Sequence, residues 1–291
     1  MRNCRCICNT SGSGKTRRIL EGLTKYWGFY LVAAPDVSGI GIRDLQDALD
    51  LVANYREWVP DPHGLSPGQR AAQNNINSQI ASRVFHRVLA ARIVVFKFFL
   101  QVAIQVDGGL QEKHKRIWLL FQLSDIVGPH GDSFHPFLQI IDKLHDASDD
   151  ALDTLISDLN GVIDEYIPWS RFILALDEAQ RAARLYPYSA ISSTNPKVFR
   201  SIIRDMVKVF TKVPIKLVVS GTGLSLADLE EAMASGVSKR ALRVKVFHEL
   251  GMFDTWPKLK SFVERYVPLS ILQSRSGYAL QVRMQEYLLG R

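Results

Sequence analysis

The 291-residue sequence predicts an α/β fold, a parallel five-stranded sheet with flanking helices. Three observations predict it. A short strand at Cys4–Cys8 runs through a Gly/Ser-rich loop into a helix; a near-continuous apolar run, Arg171-Phe-Ile-Leu-Ala-Leu-Asp-Glu178, ends in two acids; and strand-like segments alternate with helix-like ones along the chain. Hydrophobic residues make up 47% and charged residues 22%, the balance of a chain that buries a sizeable core. The formal charge of +7 suits an anionic ligand such as a nucleotide. Without a dense Lys/Arg block among aromatics, nucleic-acid binding rests on that charge alone.

The first strand leads into Asn9-Thr-Ser-Gly-Ser-Gly-Lys-Thr16, close to the phosphate-binding pattern G-x-x-x-x-G-K-[ST]. Gly12 and Gly14 let the backbone turn its N–H groups around a polyphosphate, and the positive end of the following helix faces the same anion. Lys15 is expected to reach the β and γ phosphates and the Thr16 hydroxyl to ligate Mg²⁺. The contact set is thus Asn9, Thr10, Ser11, Gly12, Ser13, Gly14, Lys15, Thr16 and Arg17. Asn9 stands where the pattern has its first glycine, and asparagine tolerates a left-handed backbone. The bland alternative is a Gly/Ser loop opening an ordinary helix.

Taken in order, the first helix spans Lys15 to about Trp27, with Ile19, Leu20, Leu23 and Trp27 on one side. A second strand is expected at Phe29–Ala33, closed by Pro35. From residue 42 to 166 the pattern is helical, a large insertion between strands two and three. Its helices are Ile42–Trp58, a long run from the Ser66-Pro67 cap to Val106, Glu112–Leu123, Phe137–His145 and Ala151–Tyr166. The apolar stretch Val84–Val106 is interrupted by Arg87, Arg92 and Lys97. Arg83, Arg87, Lys97, Gln101 and Gln105 share a helical stripe from which Arg92 departs, the pattern of a mostly buried amphipathic helix rather than a membrane span. Arg171–Glu178 reads as a central strand buried on both faces. Asn195-Pro196 is expected to open a helix towards Thr211. Ile215–Ser220 and Leu242–Phe247 supply the fourth and fifth strands, with a helix begun by Ser225 and Asp228 between them. Residues 1–250 form one domain, and 251–291 a short helical segment that reads as a truncated lid.

Asp177 and Glu178 sit at the carboxyl end of a buried strand, where open α/β sheets place their ligands. Asp177 is expected to hold Mg²⁺ opposite Thr16, and Glu178 to act as general base on the water that attacks the γ phosphate. Two acids capping the next helix are the alternative. Ser220 and Thr222, just past another strand, would touch the γ phosphate or orient that water; a plain turn explains them equally. Arg200, Arg204 and Arg240 are candidates for a transition-state arginine, in cis or across a self-association interface, each read first as a surface residue. All three cysteines fall in Cys4-Arg-Cys6-Ile-Cys8, too close to pair and too few for a metal, and so read as small strand residues of a reducing, intracellular protein, cytoplasmic or nuclear. The seven histidines form no zinc set, and no guanine-selecting motif stands out, so ATP with Mg²⁺ is favoured over GTP.

Cys8-Asn-Thr-Ser-Gly-Ser-Gly-Lys-Thr-Arg17, Trp27-Gly-Phe-Tyr30, Ala175-Leu-Asp-Glu-Ala-Gln180, Ser220-Gly-Thr-Gly-Leu-Ser225 and Gly251-Met-Phe-Asp254 together resemble the NTPase module of fungal Crinkler and retrotransposon-hot-spot-like proteins. That module lies in the additional-strand, catalytic-glutamate branch of P-loop NTPases, with AAA+ and STAND proteins. The resemblance implies ATP binding and a module often joined to effector or nuclease domains. Two other readings stay open: an ATP-binding switch with little turnover, and a basic nucleic-acid-associated fragment.

Overall fold

A computed structural model describes residues 4–8, 14–34, 39–123, 126–127, 133–167, 172–192, 195, 197–213, 215–224, 227, 229–230 and 244–247. The sheet is built from β1 (Cys4–Cys8), β2 (Gly28–Val32), β5 (Ile173–Asp177), β8 (Lys216–Gly221) and β9 (Val244–Phe247), in the order β2-β5-β8-β1-β9. Every neighbouring pair is parallel. Between β1 and β2 lies α1 (Lys15–Lys25), and between β2 and β5 come α2 (Asp44–Val52), α3 (Pro67–Asp107), α4 (Glu112–Phe121), a small hairpin of β3 (Ile126–Val127) and β4 (Ser133–Phe134), α5 (Pro136–Lys143) and α6 (Asp149–Tyr166). After β5 follow α7 (Gln180–Leu185), a hairpin of β6 (Ala190–Ile191) and β7 (Phe199–Arg200), and α8 (Ile203–Phe210).

The period of two along each strand divides the core. Ile7, Tyr30, Val32 and Ala175 point to the face that carries Ile19 and Leu23 of α1 and Leu119 of α4. Cys6, Phe29, Leu31, Leu174, Leu176, Leu217 and Val219 point to the other face, under α3 and α8. By the same period Asp177 falls on the α1 face, two residues after Ala175. Both faces are covered, which is why β2 and β5 read as unbroken apolar runs.

β2 ends the sheet, so its outer backbone groups need partners. Side chains at the end of α4 supply them. Trp118 Nε1 donates to Gly28 O at 2.7 Å, Gln122 Nε2 donates to the same oxygen at 3.2 Å, and Gln122 Oε1 accepts from Tyr30 N at 2.9 Å. Gln122 Oε1 also accepts from Arg92 Nη1 at 3.1 Å, and Arg92 forms a bidentate pair with Asp44 at 2.7 Å per bond. Both members of that pair are fully buried. Arg92 leaves the polar stripe of α3 because it faces Asp44 inside the fold. Trp27, Phe29, Phe96, Phe99, Trp118, Phe137 and Phe172 pack against one another in the same core, with edge-to-face pairs such as Phe29–Phe172 at 4.8 Å. Arg92 lies over the Phe137 ring at 4.0 Å.

The 41-residue α3 is long and apolar enough to cross a membrane, but 67% of its most apolar window is buried inside the fold. Its start follows the expected signal, Ser66 N donating to Gln69 Oε1 at 3.1 Å with Pro67 first in the helix. Two expectations are corrected. The helix from Ile42 ends at Val52 rather than Trp58, because the next amides close turns (Trp58 N to Tyr55 O, 3.0 Å) and Val59 N is taken by Asn77 Oδ1 at 3.2 Å. No helix runs from Asn195: its Oδ1 accepts from Lys197 N at 3.0 Å in the β6–β7 turn, and α8 starts only at Ile203. Ser225, Asp228 and the segment 251–291 lie outside the described residues, while Ala227, Leu229 and Glu230 are helical.

Asp44→Asn leaves Arg92 buried without its counter-charge and is expected to cost about 3–5 kcal/mol in urea unfolding, most of it recovered in an Asp44→Leu/Arg92→Met double variant. A second prediction concerns His86 on α3. Burial, helped by the Lys212 charge and opposed by Asp153 and Asp149, pushes its pKa from 6.5 down to about 4. Between these values the unfolded chain binds more protons than the folded one. The His86 contribution is therefore complete above pH 6.5 and lost as the pH falls towards 4. Urea midpoints measured from pH 7 to pH 4 should fall less steeply in His86→Leu than in the parent.

Candidate functional site

The carboxyl ends of β1, β5 and β8 lie at one edge of the sheet, with Cys8 level with Gly221 and Leu176 with Val219. Gly14 caps α1 with φ of 82°, a left-handed conformation that glycine adopts without a Cβ penalty. Residues Asn9, Thr10, Ser11, Gly12 and Ser13 lie outside the described residues. Directly after Gly14, the first turn of α1 carries Lys15 and Thr16 into the sheet edge, while Arg17 Nε donates to Glu21 Oε1 at 2.9 Å along the helix surface.

Thr16 Oγ1 donates to Asp177 Oδ2 at 2.7 Å, joining residues 161 positions apart. Tyr30 OH donates to the same oxygen at 3.1 Å, and Glu178 N donates to Asp177 Oδ1 at 3.0 Å. Asp177 is 1% exposed, so these donors replace the water its carboxylate has lost. Tyr30, Thr16 and Asp177 meet because all three lie on the α1 face of the sheet. Lys15, also buried, donates from Nζ to Thr222 Oγ1 at 3.3 Å and so spans from α1 to the end of β8.

Glu178 has φ of 52°, a left-handed backbone in a residue with a long side chain. Such strain persists only where surrounding structure imposes it, and it collects at functional sites. Here β5 ends and turns sharply: Ala179 N donates to Ser220 O at 2.9 Å and Arg181 N to Glu178 O at 3.0 Å. Gln180 Nε2 donates to Glu178 Oε2, and Gln180 Oε1 accepts from Thr222 N at 3.0 Å. One amide thereby links the Glu178 carboxylate to the loop after β8. A Cβ on Gly221 would stand 2.4 Å from that Gln180 oxygen, so a larger residue there would push the Gln180 amide aside. Ser220 is fully buried, and its Oγ has no hydrogen-bond partner among the described residues.

The fold therefore assembles Lys15, Thr16, Asp177, Glu178, Ser220 and Thr222 at one edge. Arg200 lies in β7 and Arg204 in α8 instead; Arg204 is buried beside Asp205, not on the surface as expected, and Arg240 lies outside the described residues. Of the cysteines, Cys6 is buried as the strand period requires. Tyr30 and Gln180 were not singled out by the sequence. A tyrosine inside an unbroken apolar strand does signal a buried hydroxyl in need of a partner, whereas Gln180 carried no signal beyond its place after two acids. Among the described residues no group of three or more His, Cys, Asp or Glu converges on a metal position. A hydroxyl and one carboxylate nevertheless match the hard oxygen donors of Mg²⁺, which keeps several waters and takes substrate phosphates as its other ligands.

The chain matches no protein-family model, no curated protein and no solved structure.

Because the left-handed backbone at Glu178 costs an L-residue roughly 1 kcal/mol, Glu178→Gly is expected to leave stability unchanged or raise it by up to about 1 kcal/mol. Chemical unfolding checks this; a loss above that size would mean that the Glu178–Gln180 bond outweighs the strain.

Proposed function

We propose that this chain is a Mg²⁺-dependent nucleoside triphosphatase acting on ATP. The observation that carries the reading is the 2.7 Å contact between Thr16 and Asp177, which joins the end of the phosphate-loop motif to the acid closing β5. The position of β8 between β1 and β5 gives further support, since an added strand between the loop strand and the acidic strand is what the additional-strand branch requires. The resemblance to the Crinkler and retrotransposon-hot-spot-like module is part of the same proposal.

In this reading Lys15 binds the β and γ phosphates, and the residue 9–14 loop turns its amides to the same anion. Thr16 and Asp177 hold the metal, with Tyr30 fixing the carboxylate. Mg²⁺, when bound, neutralises charge on the phosphate oxygens. Glu178 accepts the proton of the attacking water, and the Ser220 hydroxyl and the Thr222 loop lie where the terminal phosphate is sensed. A second reading, a nucleotide-binding switch with little turnover, is favoured by one observation: Gln180 Nε2 donates to Glu178 Oε2 and ties that carboxylate to the loop after β8.

Phosphate release and ATP binding measured on the same preparations separate the two. Lys15→Ala is expected to abolish binding. Glu178→Gln is expected to keep binding and lower release about 10²–10⁴-fold. ATP binding by the parent without release would replace the triphosphatase reading with the switch; absence of binding would contradict both.

A further inference from the structure

We propose a second anion site, independent of the sheet edge, in the helical insertion. A cavity of about 520 Å³ opens between α2, α3 and the start of α6, lined by Leu51, Asn54, Tyr55, Arg83, Arg87 and Ser148 among others. That volume suits a small organic molecule rather than a bare ion.

Arg87 carries the inference. It is 5% exposed, and its one hydrogen bond among the described residues runs from Nη1 to the neutral Tyr55 hydroxyl at 3.2 Å. Its buried Nε has no partner, and no carboxylate lies within ion-pair distance of it among the described residues. A guanidinium taken out of water without a counter-charge is strongly unfavourable unless a ligand supplies the charge. Neither Asp146 on the cavity wall nor Asp149, which follows the wall residue Ser148, supplies it. Asp149 is engaged by Arg83 at 3.1 Å, and Asp146 is fully exposed and bonded to His145. In contrast, Arg92, one helical turn and a half further along α3, is equally buried and has Asp44. The N-cap of the 18-residue α6, Ser148, lies on the same wall, so that helix directs its positive end to the cavity.

The ligand class that fits is a small organic oxyanion, a phosphate monoester or a carboxylate. Its charged group would pair with Arg87 in the bidentate manner a guanidinium allows, within reach of Tyr55, and its apolar part would rest on Leu51 and Ala147.

Titration calorimetry with inorganic phosphate and with citrate, at constant ionic strength, tests the site. The full chain carries Lys15→Ala, so that the candidate triphosphate site contributes no heat and its failure does not affect the result. Saturable binding of at least one anion is expected, at least tenfold weaker in Arg87→Met. Tighter phosphate binding assigns a phosphate monoester, and tighter citrate binding a carboxylate. Arg87→Met removes a charge lacking a counter-ion, so its unfolding midpoint in anion-free buffer should equal or exceed that of the parent. Ala147→Phe fills the cavity with Arg87 intact and should also block binding. No saturable binding of either anion, or affinity unchanged in both variants, overturns the proposal.

Discussion

The Asp177 carboxylate is the constraint on which the site depends. It is buried at the end of β5 and accepts from Thr16, Tyr30 and the Glu178 amide. Those three donors come from the helix after β1, from the edge strand β2 and from the turn that follows β5. An uncompensated buried carboxylate would cost several kcal/mol, so the charge fixes the relative positions of α1, β2 and β5 more narrowly than apolar packing does. The turn that supplies the third donor is the one that forces Glu178 into a left-handed backbone. Order at the Asp177 carboxylate and strain at its neighbour thus have one origin.

A second buried charge extends the arrangement into the insertion. Arg92 binds Asp44 on α2 and Gln122 at the end of α4, and Gln122 with Trp118 satisfies the outer backbone groups of β2. The insertion is therefore not an appendage: it closes the sheet edge. Through β2 it also supports Tyr30, whose amide bonds Gln122 and whose hydroxyl bonds Asp177. On the inner side of β2, Gly28 lets β5 approach, since a Cβ there would lie 2.2 Å from Ile173 O.

Much of the frame was legible in the sequence because local pattern and global fold agree. β1, α1, β5, β8 and the start of α3 follow from period, caps and glycine chemistry, and the acids after β5 follow from the position of that strand. What was not legible depended on contacts distant in sequence. Arg92 read as an irregularity on a polar stripe because its partner is 48 residues away. The Asn195 region read as a helix start because Asn-Pro serves helix caps and hairpin turns alike, and only pairing of β6 with β7 distinguishes them. Gln180 drew no role from the sequence, since nothing local reveals that its amide joins Glu178 to Thr222.

In the proposed triphosphatase Thr16 and Asp177 act together as a metal position that serves a bound nucleotide. The most direct test is the Mg²⁺ dependence of ATP affinity in the parent and in Asp177→Asn. The account predicts that Mg²⁺ tightens binding in the parent, while Asp177→Asn binds metal-free ATP comparably and loses the tightening. An Asp177→Asn chain in which Mg²⁺ still tightens ATP binding to the parental degree would contradict it.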